Sequence, residues 1–134
     1  GIPAFVWGYA VFGIIAGAVI YFLGRGEAST KKYLLATAIC TFAAFLFLPR
    51  MHERYFYPTL IFLALLVWDR DFKKVFWILS GIHLINLYHF WWVPRIGILV
   101  AILSNVFVEK MIIILNILTF FWLFSLLRKK MLQF

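Results

Sequence analysis

Residues 33–68 read YLLATAICTFAAFLFLPRMHERYFYPTLIFLALLVW, two apolar runs separated by a short charged segment. Both runs are predicted to be helices in a membrane, because an open strand would leave unpaired backbone groups in lipid. The segment between them, residues 49–58, is called the tip; it carries Arg50, His52, Glu53 and Arg54. Ionisable residues at the edge of a membrane segment cost free energy and usually serve a function. The sequence therefore predicts a helical hairpin with a functional tip.

The composition of the whole chain agrees with a membrane protein. Of the 134 residues, 66% are hydrophobic, 21% are aromatic and only 13% are charged. A soluble domain with this balance would expose one continuous apolar surface. We therefore expect an all-α integral membrane bundle that forms a single transmembrane domain over residues 1–134. Cys40 is the one cysteine, so no intramolecular disulfide can form.

About five membrane spans are predicted, since a helix needs about 20 apolar residues to cross the hydrocarbon core. They cover residues 4–24, 33–48, 55–68, 75–93 and 111–127. The second and third are short, at about 24 and 21 Å for a rise of 1.5 Å per residue. Either these helices extend into the tip, or the bilayer thins, or the tip lies below the outer surface. Residues 95–110 are predicted as a helix on or dipping into the outer face, or as an extension of the last span.

The net charge of +8 is explained by topology and does not indicate nucleic-acid binding. Nine of the 13 Lys and Arg residues fall in three clusters between apolar runs: Arg25, Lys31 and Lys32; Arg70, Lys73 and Lys74; Arg128, Lys129 and Lys130. If the spans alternate in direction, all three clusters lie on one side of the membrane. The positive-inside rule predicts that this side, which also carries the C-terminus, is cytoplasmic. Four tryptophans are expected as interfacial anchors: Trp7, Trp68, Trp91 and Trp92.

The residue types of the tip suit an anionic head group attached to a lipid. Arg50 and Arg54 offer planar, permanently charged donors for phosphate oxygens, and His52 can hold a proton near neutral pH. Glu53 can orient one of these groups, and Tyr57, like its neighbour Tyr55, adds a flat face and a hydroxyl. In the simpler alternative, the arginines only contact lipid phosphates and Glu53 pairs with one of them.

The polar residues of the fourth span are expected to be structural. His83 and His89 lie six positions apart, so they point in different directions on a helix, and no metal site is predicted. We expect both to be packed, hydrogen-bonded histidines. His83 and Asn86, at i and i+3, could hydrogen-bond a neighbouring helix.

The run Leu48 to Pro58 resembles a motif in the later half of bacterial and archaeal membrane glycosyltransferases of the GT-C superfamily. These are similar to the dolichyl-phosphate-glucose-dependent glucosyltransferases of the endoplasmic reticulum, whose motif begins His-Glu-Lys. Here Arg54 stands in place of the lysine, and the aromatic residues 55–57 replace small and aliphatic ones. Residues 84–88, LINLY, also resemble the following helix of the prokaryotic members.

The resemblance implies a multi-pass protein of a prokaryotic cell membrane that takes a polyprenyl-phosphate-linked sugar as its donor and needs no cofactor. It implies transfer on the outer face, with His52 and Arg54 contacting the donor phosphate and Glu53 holding them. Arg50 is an additional contact without a counterpart in the family. The leaving polyprenyl phosphate would be stabilised by these basic groups.

In that family the catalytic base is an acidic residue in the first external loop, which this chain lacks. We therefore expect a C-terminal fragment whose N-terminal part supplies the base, with no catalytic residue of its own and no activity in isolation. The alternative is a non-catalytic membrane protein, a transporter subunit or an assembly partner, that binds anionic lipid head groups through the tip.

Overall fold

The computed structural model describes residues 3–25, 27, 29–91 and 93–131, and it is all-helical, with 83% helix. Over these residues the chain forms six α-helices and no strand. They are α1 (Ala4–Leu23), α2 (Thr30–Phe47), α3 (Tyr57–Ala64), α4 (Arg70–Trp91), α5 (Gly97–Leu103) and α6 (Val106–Met131), with a 3₁₀ helix at Glu53–Phe56 before α3. The predicted all-α class is confirmed.

Three of these helices are long and apolar enough to cross a membrane, by length and composition. They cover Phe5–Leu23, Thr30–Phe47 and Val106–Lys130, with mean hydropathies of 2.0, 1.3 and 2.1. They indicate a membrane protein. Helix α4 is not among them although it has 22 residues, since polar side chains such as His83, Asn86 and His89 lower its hydropathy. Five spans are therefore not confirmed.

The third predicted span, residues 55–68, contains a much shorter helix. Helix α3 has eight residues, and residues 65–68 continue as turns in which Leu66 N–H donates to the Leu63 carbonyl at 2.9 Å. Because residues 65–68 are as apolar as α3, the composition of the sequence could not show where α3 ends. The turn leaves the Trp68 side chain 94% exposed. Trp7 and Trp91 are also exposed, and Trp92 lies outside the described residues.

Residues 95–110 divide between two helices. Helix α5 is a separate helix of seven residues, and α6 begins at Val106, five residues before the predicted start of the last span. The Tyr88 hydroxyl joins α4 to the chain before α5, because it accepts from the Ile96 N–H and donates to the Pro94 carbonyl, both at 2.9 Å. The segment thus contains a distinct short helix and an extension of the last one, and a position of α5 at the outer face stays a prediction.

Helix α2 lies at the centre of the bundle and packs against α1, α3 and α6. Its buried side chains recur at helical spacing, so that one stripe faces the core: Leu35, Ala36, Ile39, Phe42 and Ala43. Phe42 and Phe120 of α6 meet edge to face with ring centroids 5.4 Å apart. Between α2 and α3, the buried Thr59 hydroxyl donates to the Thr41 hydroxyl at 3.0 Å. This contact fixes the short α3 against α2, in addition to apolar packing.

The three basic clusters lie at one end of the bundle. Lys130 at the end of α6 donates to the Asp69 carboxylate at 2.5 Å, just before α4, and Lys31 of α2 lines the same small pocket as Asp69. Lys32 is buried and donates to the backbone carbonyls of Arg25 and Glu27. The tip therefore lies at the opposite end of α2 from these basic residues.

The Asp69–Lys130 pair should make stability depend on pH. The hydrogen bond from Lys130 holds the pKa of Asp69 below its usual range, against the opposing effect of partial burial. A carboxyl group with a lowered folded-state pKa stabilises the fold above its unfolded pKa, and this contribution is lost as the pH falls through the folded value. We therefore expect Asp69→Asn to cost roughly 0.5 kcal/mol at pH 7, and progressively less as the pH falls through the lowered pKa of Asp69, by thermal unfolding in detergent.

Asp71→Asn is the matched control, because Asp71 forms no ion pair within the described ranges. It should leave the acid sensitivity of the wild type unchanged. If Asp69→Asn loses as much stability on acidification as the wild type does, the pair makes no pH-dependent contribution.

Candidate functional site

The tip is shaped by its two prolines and by a strained arginine. Pro49 restricts the residue before it, and Leu48 ends α2 in an extended conformation with ψ of 142°. Arg50 follows with φ of 60°, a left-handed conformation that costs a non-glycine residue roughly 1–2 kcal/mol. Pro58 lies in the first turn of α3, where a missing N–H breaks no helical hydrogen bond. The chain thus reverses direction within ten residues.

Phe56 anchors the tip to the core. Its side chain is only 2% exposed, and its ring lies 5.1 Å from Phe42 and 5.0 Å from Phe45 between centroids. In the 3₁₀ helix that ends with Phe56, the preceding Arg54 and Tyr55 side chains are exposed. The inward aromatic ring thus fixes the turn that presents the outward charged groups.

His52 and Glu53 line a pocket together with residues of two helices. The pocket has a volume of about 220 Å³, and its other lining residues are Phe45 of α2, Met51 of the tip, and Asn86 and His89 of α4. His52 is exposed at its rim, whereas Glu53 is partly buried. Two of the five predicted residues thus line one pocket, together with Asn86 and His89 of α4.

The other three predicted residues do not line this pocket. Arg50 lines a separate pocket of about 400 Å³ with Pro49 and with Phe5 and Tyr9 of α1. The Arg54 guanidinium lies over the Tyr55 ring, 5.9 Å from its centroid, and points outward. Tyr57 is about half exposed, and its ring packs edge to face against His83 of α4 at 4.8 Å. The five predicted residues therefore share one end of the bundle but not one cavity.

The arginines of the tip are not neutralised by carboxylates. In the described part of the chain there are two ion pairs, Lys130 with Asp69 and His89 with Glu109 at 3.5 Å. The Glu53–arginine ion pair of the simpler alternative is therefore absent among the described residues, whereas contact of the arginines with lipid phosphates stays a prediction. Arg50 and Arg54 together carry more positive charge than Glu53 carries negative charge. The tip can therefore attract an anion at the end of the apolar helices.

The histidines of α4 depart from the expected hydrogen-bonded packing. His83 is 4% exposed, yet neither ring nitrogen has a hydrogen-bond partner, so the predicted hydrogen bond to a neighbouring helix is wrong. His89 lies in the pocket and pairs with Glu109 of α6. The two therefore have different surroundings, because a carboxylate lies beside His89 and aromatic rings lie beside His83. Among the described residues, no group of three potential ligands could hold a metal ion.

A polar stripe along α4 could have revealed Asn86 and His89. His83, Asn86 and His89 recur every three residues in an otherwise apolar segment, and this spacing keeps them within one third of the helix circumference. The sequence predicted a structural role for all three residues, and the shared pocket of Asn86 and His89 was not predicted.

No protein family, curated protein or solved structure matches the chain. The resemblance of the tip to GT-C enzymes therefore stays a prediction.

Proposed function

We propose that the tip binds the phosphate of a polyprenyl-phosphate-linked sugar, and that the chain is part of a GT-C-type membrane glycosyltransferase. The observation that carries the proposal is that Arg50 and Arg54, at the same end of the bundle as the His52 pocket, form no ion pair within the described part of the chain. Arginine suits phosphate because its planar donors match the phosphate oxygens. A ligand held by these groups would be an anion approached from the lipid.

The proposed reaction uses the tip to stabilise a leaving group. When the sugar moves to an acceptor, its bond to the phosphate breaks and negative charge develops on polyprenyl phosphate. Fixed positive charges near that oxygen lower the barrier, because they are already oriented before the reaction begins. Arg54 and His52 are the proposed phosphate contacts, with Arg50 as a further one. In this proposal Glu53 is not the base, which would belong to a segment N-terminal to residue 1.

The membrane orientation of the proposal follows from the basic end of the bundle. If that end faces the cytoplasm, as the positive-inside rule expects, the tip faces the outer side. Five crossings then require α3 and α4 to span as well. The 3₁₀ helix and α3 together measure about 20 Å at their usual rises, less than the hydrocarbon thickness. This supports a tip that lies below the outer surface, within reach of a lipid phosphate.

An apolar groove beside the pocket fits the lipid chain. It has a volume of about 440 Å³ and is lined by apolar side chains of α4 and α5 together with Tyr88. Ile85 lines the groove and His89 lines the polar pocket, and these residues are one helical turn apart on α4. The groove and the pocket therefore occupy adjoining faces of one helix, which supports a ligand with a polar head and an apolar tail.

Arg54→Ala should weaken the binding of polyprenyl phosphate about tenfold. Charged hydrogen bonds contribute about 1.5–3 kcal/mol, and exposure to water reduces this toward the lower value. Binding is measured with the whole chain in nanodiscs, by the shift of the unfolding temperature with ligand concentration. In an intact enzyme, the same substitution should reduce sugar transfer sharply while leaving the protein folded.

Arg70→Ala is the matched control, because Arg70 is an exposed arginine at the start of α4, at the opposite end of the bundle from the tip. It removes the same charge far from the tip and should leave binding within twofold of the wild type. If the two variants bind equally well, or if uncharged polyprenol binds as tightly as the phosphate, the tip is not a phosphate site.

One observation favours the non-catalytic alternative. Arg50 lines a pocket of its own with aromatic residues of α1, separate from His52 and Glu53, and this arrangement would suit any anionic lipid. The non-catalytic alternative predicts that phosphatidylglycerol and polyprenyl phosphate compete equally well for binding to the tip, and that no sugar is transferred. Preference for polyprenyl phosphate by tenfold or more would favour the glycosyltransferase.

A further inference from the structure

The carboxylate of Glu53 lacks hydrogen-bond donors among its neighbours. Its Oε2 atom is buried, and within the described residues it accepts no hydrogen bond. A polar atom that is buried and unpaired costs free energy, and each such case in a folded protein needs a reason. Glu53 also lines the pocket between the tip and α4. A group that enters this pocket and donates a hydrogen bond to the carboxylate would therefore recover part of that cost.

The wall of the pocket offers acceptors and donors together with an apolar face. A carboxylate only accepts, whereas the Asn86 amide donates and accepts and the His52 imidazole donates. Phe45 and Met51 supply the apolar part of the wall. The volume of about 220 Å³ holds several water molecules at about 30 Å³ each, so the pocket admits a group larger than a single ion. These properties fit a compact ring with several hydroxyl groups, because each hydroxyl both donates and accepts.

The charges around the pocket separate it from the arginines of the tip. Neither Arg50 nor Arg54 lines it, and the Glu53 carboxylate repels a phosphate group. A second carboxylate lies nearby, because Oε1 of Glu109 is 3.5 Å from Nε2 of the lining residue His89. A phosphate is therefore favoured at the arginines, and a neutral group with hydrogen-bond donors is favoured in the pocket.

We propose that this pocket is a sugar subsite, in which Glu53 and Asn86 hydrogen-bond hydroxyl groups of a hexose and Phe45 packs against its ring. His52, exposed at the rim, then lies where the sugar joins its phosphate, and the apolar groove on the adjoining face of α4 takes the lipid. That this hexose belongs to a polyprenyl-phosphate donor rests on the proposed function. The preference of the pocket for a hydroxylated ring does not, because it depends only on the groups that line the pocket.

Four lipids with the same polyprenyl chain measure the contributions of the sugar and the phosphate separately. They are polyprenol, its glycoside, polyprenyl phosphate and the polyprenyl-phosphate-linked sugar, and both sugar-bearing lipids are made with glucose and with mannose. One of the two sugars should tighten binding about tenfold, with or without the phosphate, because hydrogen bonds to a charged group are the stronger ones. Binding to the whole chain in nanodiscs is measured by the shift of the unfolding temperature with ligand concentration.

Glu53→Gln tests the carboxylate at constant size. It should reduce the sugar preference from about tenfold to about twofold, since glutamine forms no charged hydrogen bond. It should leave the binding of polyprenyl phosphate unchanged or tighter, because it removes a negative charge near the arginines. Asn86→Leu, which keeps a side chain of similar volume, should reduce the sugar preference about threefold. Glu27→Gln is the matched control and should change neither preference, because Glu27 is exposed between α1 and α2, at the opposite end of α2 from the tip.

Three results would overturn the sugar subsite. They are no sugar preference in the wild type, an undiminished preference in both Glu53→Gln and Asn86→Leu, and an equal loss of sugar and phosphate binding in Glu53→Gln, which would mean that Glu53 only maintains the shape of the tip. The proposed function fails separately, if the phosphate does not tighten the binding of either lipid. A preference for the glycoside over polyprenol that is lost in Glu53→Gln would then still establish the pocket as a sugar site.

Discussion

Phe56→Ala should lower the free energy of unfolding by about 3–5 kcal/mol, the usual cost of removing a buried aromatic side chain. Its ring packs edge to face against Phe42 and contacts Phe45 and His83, so truncation loses contacts to α2 and α4 together. Since Phe56 is the inward residue of the 3₁₀ helix, the tip should also loosen. Thermal unfolding in detergent measures the loss.

Tyr55→Ala is the control for this prediction, because the adjacent aromatic side chain is 48% exposed. It should cost less than about 1 kcal/mol, as expected for an exposed position away from the core. Binding of polyprenyl phosphate should fall in Phe56→Ala even at temperatures where the protein remains folded. Equal destabilisation by the two substitutions would mean that Phe56 does not anchor the tip.

Gly8→Ala should lower the free energy of unfolding by about 1–3 kcal/mol, the usual cost of inserting an atom into a packed contact. A Cβ at position 8 would collide with the backbone carbonyl oxygen of Phe47, the last residue of α2. Because the obstacle is backbone and not a flexible side chain, α1 would have to move away from α2. The Arg50 pocket, which uses Phe5 and Tyr9 of α1, should widen in consequence.

Gly13→Ala is the matched control within the same helix. A Cβ at position 13 meets nothing within 4 Å. This substitution should be neutral or should stabilise the helix by up to about 1 kcal/mol, because alanine loses less backbone entropy than glycine. The comparison is made by thermal unfolding of both variants in detergent. Similar unfolding temperatures for the two would show that α1 does not approach α2 closely at Gly8.

The helix boundaries show how far local sequence could predict this fold. Pro49 and the charges after it predicted the end of α2 to within one residue. The end of α3 was missed by four residues, because Leu65 to Trp68 are apolar and form turns. No glycine, proline or charge marks that boundary. Helix ends in a membrane protein can be predicted where proline or polar residues mark them, but not within a continuous apolar run.

The candidate site was predicted in part for a similar reason. His52 and Glu53 are neighbours in the chain, so their shared pocket followed from local sequence. His89 is 37 positions after His52, and only the packing of α4 against the tip brings them together. The separation of Arg50 from Arg54 also depends on packing, because Arg50 shares a pocket with residues of α1, whereas the Arg54 guanidinium lies over the Tyr55 ring. Spacing in the sequence alone would have placed both arginines together.

The sequence by itself determined the all-α class, the apolar helices and the position of the charged tip. These follow from composition and from local residue types, and they need no knowledge of which helix meets which. Only the tertiary structure decided that the Tyr57 ring packs against His83, that Asn86 and His89 complete the His52 pocket, and that Gly8 touches the end of α2. In a helix that is apolar on all sides, lipid-facing and protein-facing residues look alike, since lipid provides no hydrophobic force that separates them. The contacts between such helices are set by the shapes and polar groups that meet after folding.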